Sequence, residues 1–324
     1  MGMLVDGVWT DRDTRKASGR FERPATTFRN WVTPDGAPGP SGEGGFPAEA
    51  GRYHLYVALA CPWAHRTLIF RALKQLTGVI GVSTVEAVYD DKGWKFGSGP
   101  TADKANGKAR LSDIYLAADP KFTGRVSVPV LWDTRRKGIV NNESSEIIRM
   151  LNSAFDAYTP VKTDYYPPAL RAAIEEVNAI VYATVNNGVY RTGFATTQPA
   201  YEEAFLALFK TLDELEQRLS RQRYLVGDHI TEADWRLFTT LVRFDAVYYG
   251  HFKCNLRRIA DYPNLSNYVR ELFQVPGVAE TVNIDQIKTH YYASHRHINP
   301  TGIVPLGPAL DFSAPHDRGR LAGA

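Results

Sequence analysis

The chain has 324 residues, 44% of them hydrophobic and 23% charged, with a formal net charge of +3. That is room for two domains of ordinary globular composition. The charge is too mild and too scattered for a nucleic-acid partner. Two cysteines cannot build a disulfide framework. No apolar run approaches the ~20 residues of a membrane span.

Residues 1–50 are polar and rich in Gly and Pro, as in Gly36-Ala37-Pro38-Gly39-Pro40, and read as an extension wrapped on the surface with little regular structure. Met1-Gly2-Met3-Leu4-Val5-Asp6 does not read as a secretory signal, so a reducing cytosol is the expected setting. Residues 51–160 alternate strand and helix. A strand over Tyr53 to Leu59 leads through Cys61-Pro62-Trp63-Ala64-His65 into a helix over 63–76, and a second strand is expected near 79–88. The polar stretch 97–112 reads as a loop with a helix after it. Val126-Ser127-Val128-Pro129-Val130-Leu131-Trp132 reads as a strand interrupted by proline, which marks an edge or a deliberate break. Ile139-Val140 is a short strand. A helix over Ser144 to Phe155 has Ile147, Ile148, Leu151 and Phe155 on one face. This β-α-β then β-β-α order fits a thioredoxin-like domain.

Residues 161–298 read as all-helical. Phe205, Leu208, Phe209, Leu212, Leu215 and Leu219 recur at helical spacing and predict a core stripe. Thr231 with Asp234 three residues on resembles a capping box, flanked by Ile230 and Trp235 as a hydrophobic staple. Asn186-Asn187-Gly188-Val189 reads as a turn-like break after a helix over 170–185. A further helix runs near 264–273, and the tail 299–324, with four prolines, reads as an arm.

Cys61 carries the chemistry. A cysteine between a strand and a Pro-led helix sits where unpaired N–H groups and the helix dipole favour a thiolate. Pro62 suits the first helical turn, which needs no backbone donor there. The position three residues on, where a redox Cys-x-x-Cys motif has its second sulfur, is Ala64. Such a thiol can attack but cannot release its adduct to its neighbour, so an external thiol is needed, which points to glutathione. Cys254 has no such context and reads as structural. His290, His295 and His297 match no common zinc spacing, and no Gly-rich dinucleotide fingerprint appears. No metal, flavin or nicotinamide is expected.

Taken in order, Cys61-Pro62-Trp63-Ala64-His65, Gly124 to Asp133, Asn142 to Ile148, Asn186 to Tyr190, Thr231 to Asp234, His290 to His295 and Asn299-Pro300-Thr301-Gly302 resemble the glutathionyl-hydroquinone reductases, the Xi class of the glutathione transferase superfamily. The resemblance runs nearly end to end, with 97–112 unmatched. It implies a thioredoxin-like N-terminal domain that binds glutathione, an all-helical C-terminal domain and an active cleft between them. It implies Pro129 as a cis-proline that exposes the Val128 backbone to the tripeptide, with Val126 and Ser127 beside it. Glu143 and Ser144, which alone read as a helix cap, would hold the γ-glutamyl end, and Trp94 and Arg125 the other end. Tyr190, Tyr248 and Tyr291, each of which alone reads as packing, would act with Cys61 in catalysis. The implied activity is reduction of S-glutathionyl-hydroquinones by a cytoplasmic homodimer. An omega-like thiol transferase or dehydroascorbate reductase, or a ligand-binding scaffold, are the alternatives.

Overall fold

The structure, a computed structural model, describes residues 2–11 and 18–321. Residues 1, 12–17 and 322–324, which fall in the expected extension and arm, lie outside the described residues. The chain divides into two compact units. The first takes in the N-terminal hairpin, Pro24–Thr163 and Thr281–His290; the second takes in the stretch ending at Arg23, Asp164–Glu280 and the described residues from Tyr291 onward.

The hairpin joins β1 (Met3–Val5) to β2 (Val8–Thr10). Its turn residues Asp6 and Gly7 have φ of 47° and 78°, the left-handed backbone that an Asp-Gly pair adopts at low cost. Leu4 is buried and exchanges backbone hydrogen bonds with Gly124 at 3.0 and 2.9 Å.

A four-stranded sheet forms the middle of this unit. Strand β3 (Tyr53–Val57) pairs in parallel with β4 (Gly81–Thr84) and antiparallel with β5 (Val130–Asp133), which pairs antiparallel with β6 (Gly138–Asn141). All five β3 residues are buried, so the strand reads as a near-continuous apolar run without alternation. Its His54 meets Ser83 Oγ at 2.8 Å. Burial pushes this imidazole down to about 4, so it is neutral at neutral pH. Strand β5 begins one residue after Pro129, at the far side of a cis Val128–Pro129 bond. The expected strand over 126–132 is thus shortened: with no N–H for the ladder, proline stands ahead of the strand.

Helices α1 (Pro62–Leu73) and α3 (Ser144–Ser153) pack on each other, and α2 (Leu111–Ala118) packs on β6. The N-terminal stretch does more than wrap. Asn30 N donates to Val140 O at 3.0 Å and Asn142 N to Phe28 O at 3.1 Å, which covers the open edge of β6. Val32, Phe46 and Ala48 enter the core. The loop at 97–112 is organised by Asp103, whose carboxylate accepts from Ala105 N, Asn106 N, Lys108 N and Tyr56 Oη at 2.8–3.1 Å.

The second unit is helical: α4 (Arg171–Val181), α5 (Gly188–Gly193), α6 (Gln198–Leu219), α7 (Glu232–Arg243) and α8 (Pro263–Phe273). Helix α9 (Ile284–Ser294) counts with the first unit to His290 and with the second from Tyr291. Helix α6 buries Leu208, Phe209, Leu212, Leu215 and Leu219. At the head of α7, Asp234 Oδ2 accepts from Thr231 N and Oγ1 at 2.8 and 3.0 Å. Its other oxygen accepts from Leu225 N and Tyr268 Oη at 2.9 and 2.7 Å. The C-terminal segment is tied down by buried Arg318, which donates to the carbonyls of Leu219, the last residue of α6, and of Gln222 and Arg223 beyond it.

Where the sequence suggests a break before Tyr190, the backbone instead stays helical. It passes through one π-turn at Tyr182–Asn186, closed by Asn187 N to Tyr182 O at 2.9 Å. A second π-turn, Phe244–Tyr248, is closed by Tyr249 N to Phe244 O at 2.8 Å. Asn186 braces the first, since its side-chain amide donates to Arg236 O and Thr240 Oγ1 at 3.0 and 2.7 Å. Those bonds replace the ones a turn would have made.

Candidate active site

Cys61 is the N-cap of α1. Its backbone is extended (φ −77°, ψ 120°), its N–H donates to Ala58 O, and its carbonyl accepts His65 N at 2.9 Å. Pro62 follows at the first helical position, and no acidic residue occupies the first turn. A sulfur anion here meets the positive end of the helix with no carboxylate in that turn to oppose it. Sγ is partly exposed and lies 3.6 Å from Val128 O. Ala64, at the third helical position, is fully buried.

The loop that carries Val128 is held from behind. Tyr115 of α2 donates to Ser127 O at 2.8 Å and accepts from Ser127 N at 3.3 Å and from Asn142 Nδ2 at 3.2 Å. Tyr115 and Asn142 brace this loop, and sequence reasoning missed both; one buried aromatic on a helix gives no signal of its own. Arg125 and Val126 are half-buried in the same loop.

Glu143 caps α3. Its Oε1 accepts from Ser145 N and Oγ at 3.1 and 2.9 Å, and its Oε2 from Thr26 Oγ1 at 3.2 Å. The cap geometry expected of this pair is therefore present. Ser144 Oγ accepts from Arg66 Nη1 at 3.4 Å. Arg66 is buried on α1, with its guanidinium 4.6 Å above the Trp63 ring. A cation thus lies next to the N-terminus of α3, an arrangement suited to a carboxylate. Trp94 stacks on His290 at 4.8 Å and meets Tyr89 edge-on at 5.3 Å. His290 Nδ1 donates to Ala87 O at 2.8 Å.

In the second unit the three tyrosines come together from 101 residues of chain. Tyr291 Oη is 2.6 Å from Tyr190 Oη and 3.0 Å from Tyr248 Oη, and all three side chains are buried. Burial pushes Tyr248 and Tyr291 well above the usual phenol range, and Tyr190 beside them adds to this, so both remain protonated. Three phenols in a row can pass a proton along the chain. Tyr248 ends the second π-turn, and Tyr190 lies four residues past the first; π-turns recur at functional sites because the extra residue rotates the side chains beyond it.

Phe252, also missed, is what the tyrosines share. Its ring centroid is 5.5, 5.6 and 5.5 Å from those of Tyr190, Tyr248 and Tyr291. It lies so close to α5 that a Cβ on Gly193 would stand 2.1 Å from its Cγ. His251 and His295, both buried, meet at 3.2 Å beside it. His290 and His295 therefore serve different neighbours, and among the described residues no group of three or more His, Cys, Asp or Glu could hold a metal ion. Cys254 is fully buried, and burial pushes its thiol far up.

Comparison with known proteins agrees across both units. The glutathione S-transferase N-terminal domain family matches residues 60–154 and the C-terminal domain family residues 198–271. The chain is 56% identical over 323 residues to the glutathionyl-hydroquinone reductase YqjG of Escherichia coli (strain K12), covering 98% of each. It is 56% identical over 313 residues to the glutathionyl-hydroquinone reductase PcpF of Sphingobium chlorophenolicum, covering 95% of this chain and 97% of that one. The glutathione-bound structure of the Escherichia coli protein superposes with a TM-score of 0.91, covering 98% of this chain and 99% of that one. A Xi-class transferase from Natrialba magadii gives a TM-score of 0.92 at 48% identity, covering 100% and 98%. This chain belongs to the glutathione transferase family, in its Xi class.

Proposed function

We propose that this protein reduces S-glutathionyl-hydroquinones to free hydroquinones at the expense of glutathione. The observation that carries the reading is the surroundings of Cys61: a partly exposed thiol at a helix N-cap, with alanine where a resolving cysteine would stand. The Cys61 thiolate attacks the glutathione sulfur of the substrate. The carbon–sulfur electron pair goes to the ring carbon, and Tyr190 supplies the proton that completes the C–H bond. Tyr291 and Tyr248 relay a proton back to Tyr190 through their shared hydroxyls, and the proton given up by the thiol of the second glutathione restores the chain. Cys61 is left as a mixed disulfide with glutathione. A second glutathione thiolate attacks that disulfide, which releases oxidised glutathione and restores Cys61. The ring carbon gains two electrons, one from the substrate's own glutathionyl sulfur and one from the thiol of the incoming glutathione, which together become the disulfide. Splitting the reaction at a covalent intermediate predicts ping-pong kinetics.

In this reading the tripeptide binds along the Val126-Ser127-Val128 backbone, with its γ-glutamyl end at Glu143, Ser144 and the start of α3. Trp94 and Arg125 contact the other end. The 2.8 Å grip of Tyr115 on Ser127 supports a rigid backbone there. The thiol chemistry suits the reducing cytosol, and we assign the enzyme there as a homodimer. The test is turnover of a glutathionyl-hydroquinone with glutathione, wild type against Cys61→Ser, with mass spectrometry for one glutathionyl group on Cys61. Retained turnover in the variant, or an adduct on Cys254 alone, defeats the reading. Faster turnover of a small mixed disulfide than of the hydroquinone would favour a general thiol transferase.

A further inference from the structure

Arg23 lies in the N-terminal stretch, far from Tyr190 in sequence. Its guanidinium carbon stands 5.0 Å from the centre of the Tyr190 ring and 5.6 Å from that of Phe21. Its Nε donates to Asn187 Oδ1 at 3.0 Å, just past the first π-turn and three residues ahead of Tyr190. Phe21 stacks on Tyr190 at 6.3 Å and packs on Phe194 at 5.3 Å. Tyr190 is thus covered on one side by an aromatic ring and a cation, both brought by the same short segment.

We propose that Arg23 is a positioning residue for the reaction, whose charge over the Tyr190 ring stabilises the phenolate and makes Tyr190 a stronger acid. A cation over an aromatic face is attracted by the ring's negative face, and more strongly once the ring's oxygen carries negative charge. Proton donation is most effective when the donor's acidity lies near the working pH. The inference rests on the reading that Tyr190 protonates the ring carbon.

Other charged and titratable groups near Tyr190 come from neighbouring elements of this unit. Tyr291 Oη bonds it from α9, and Tyr248 reaches it through Tyr291. Buried Arg243 of α7 acts on Tyr248 and Tyr291. His251 and His295 pair beside Phe252. On α5 and α6, Arg191 is joined to Glu203, which also holds Arg20. Arg23 is exposed, so its influence on Tyr190 is open to screening by salt, unlike that of a buried charge.

The experiment times a single turnover: wild type, R23Q, R23K and Y190F are mixed in excess with a glutathionyl-hydroquinone in the absence of free glutathione, and hydroquinone release is measured against pH. Substrate ionisation is common to all four and cancels in the comparison. In R23Q the alkaline limb moves up by about 0.5–1 pH unit and the plateau rate falls about 2–5-fold, whereas R23K keeps the wild-type limb. Salt at about 0.5 M moves the wild-type limb towards that of R23Q and leaves R23Q in place. If Y190F is slow while R23Q and R23K both overlie wild type, the role of Arg23 is overturned and that of Tyr190 stands. Equal slowing in R23Q and R23K with no movement of the limb also overturns it, since that is a packing effect. If Y190F is as fast as wild type, the assignment of Tyr190 itself fails.

Discussion

The two cysteines share a side chain and little else. Cys61 caps a helix, is partly exposed, is held by backbone bonds to Ala58 and His65 at its strand–helix junction, and has its sulfur 3.6 Å from Val128 O. Cys254 sits on the chain beside Phe252, fully buried, with its thiol held protonated by the lack of solvation. The contrast extends to the surroundings of each. Around Cys61 the working parts are mostly backbone: a helix N-terminus, a cis-proline loop and a second helix N-terminus. Around Phe252, two residues before Cys254, they are side chains from three distant segments packed on one ring. Backbone sites tolerate changes in neighbouring volume; side-chain sites do not, because close-packed cores transmit any misfit.

The largest expected effect separates the two thiols directly. Cys61→Ser should lower turnover by at least about 10³-fold, since a hydroxyl at this site has no thiolate to offer, while Cys254→Ala should keep turnover within about threefold and cost stability as a small core truncation. Iodoacetamide titration of native protein, with mass spectrometry of the product, should find one modified thiol, on Cys61. Equal labelling of both would break the contrast.

Next comes Asp234→Ala. It removes the acceptor shared by Thr231 N, Leu225 N and Tyr268 Oη, and leaving buried donors unmatched should cost about 2–4 kcal/mol. The thermal midpoint should drop by several degrees, with the alkylation rate of Cys61 in the folded protein unchanged. A slower Cys61 in that variant would show that the backbone site depends on the helical unit after all.

Gly193→Ala is subtler. The added methyl has to displace Phe252, at an overpacking cost of about 1–3 kcal/mol. Phe252 moves with the tyrosines on it, so turnover should fall by more than glutathione affinity does, as read from steady-state kinetics beside calorimetric binding. A wild-type kcat would remove Phe252 as the common support.

The smallest effect tests the first unit. Arg110 holds the Asp90 carboxyl down to about 2 through paired hydrogen bonds of 2.8 Å. A carboxyl lowered in this way contributes stability above its ordinary range near 4, and the contribution is lost as pH falls from there towards 2. Both side chains are substantially exposed, so the effect should be under about 1 kcal/mol. The midpoint difference between wild type and Arg110→Ala should shrink between pH 5 and pH 2.5; a constant difference would mean that Arg110 acts by packing.

The legible features rest on local chemistry. The strand–Cys–Pro–helix junction, the apolar stripe of α6 and the Thr231–Asp234 cap each depend on residues a few positions apart. The Asp6-Gly7 hairpin is just as local, but its strands are three residues each, too short to stand out from a polar extension. Three kinds of feature were not legible. Val32, Phe46 and Ala48 are isolated apolar residues among glycines and prolines, so no period announces their burial. The two π-turns insert one residue into a helix without any glycine or proline that a break would need, and Asn186-Asn187-Gly188 looks like a turn until its amide finds Arg236 and Thr240. Arg318 reads as one more surface cation in a proline-rich tail, and its three carbonyl partners are about a hundred residues away.

From the order of residues alone came the strand–Cys61–Pro62–helix junction, the want of a second cysteine three residues on and the alternation that makes the sheet, because a helix start and a strand are written within about ten neighbouring positions. Tertiary structure alone decided that Tyr190, Tyr248 and Tyr291 share hydroxyl contacts and that Arg23 covers one of their rings. Those contacts join segments separated by 43 to 101 residues or more of chain, and no local pattern encodes a distance that folding has yet to close.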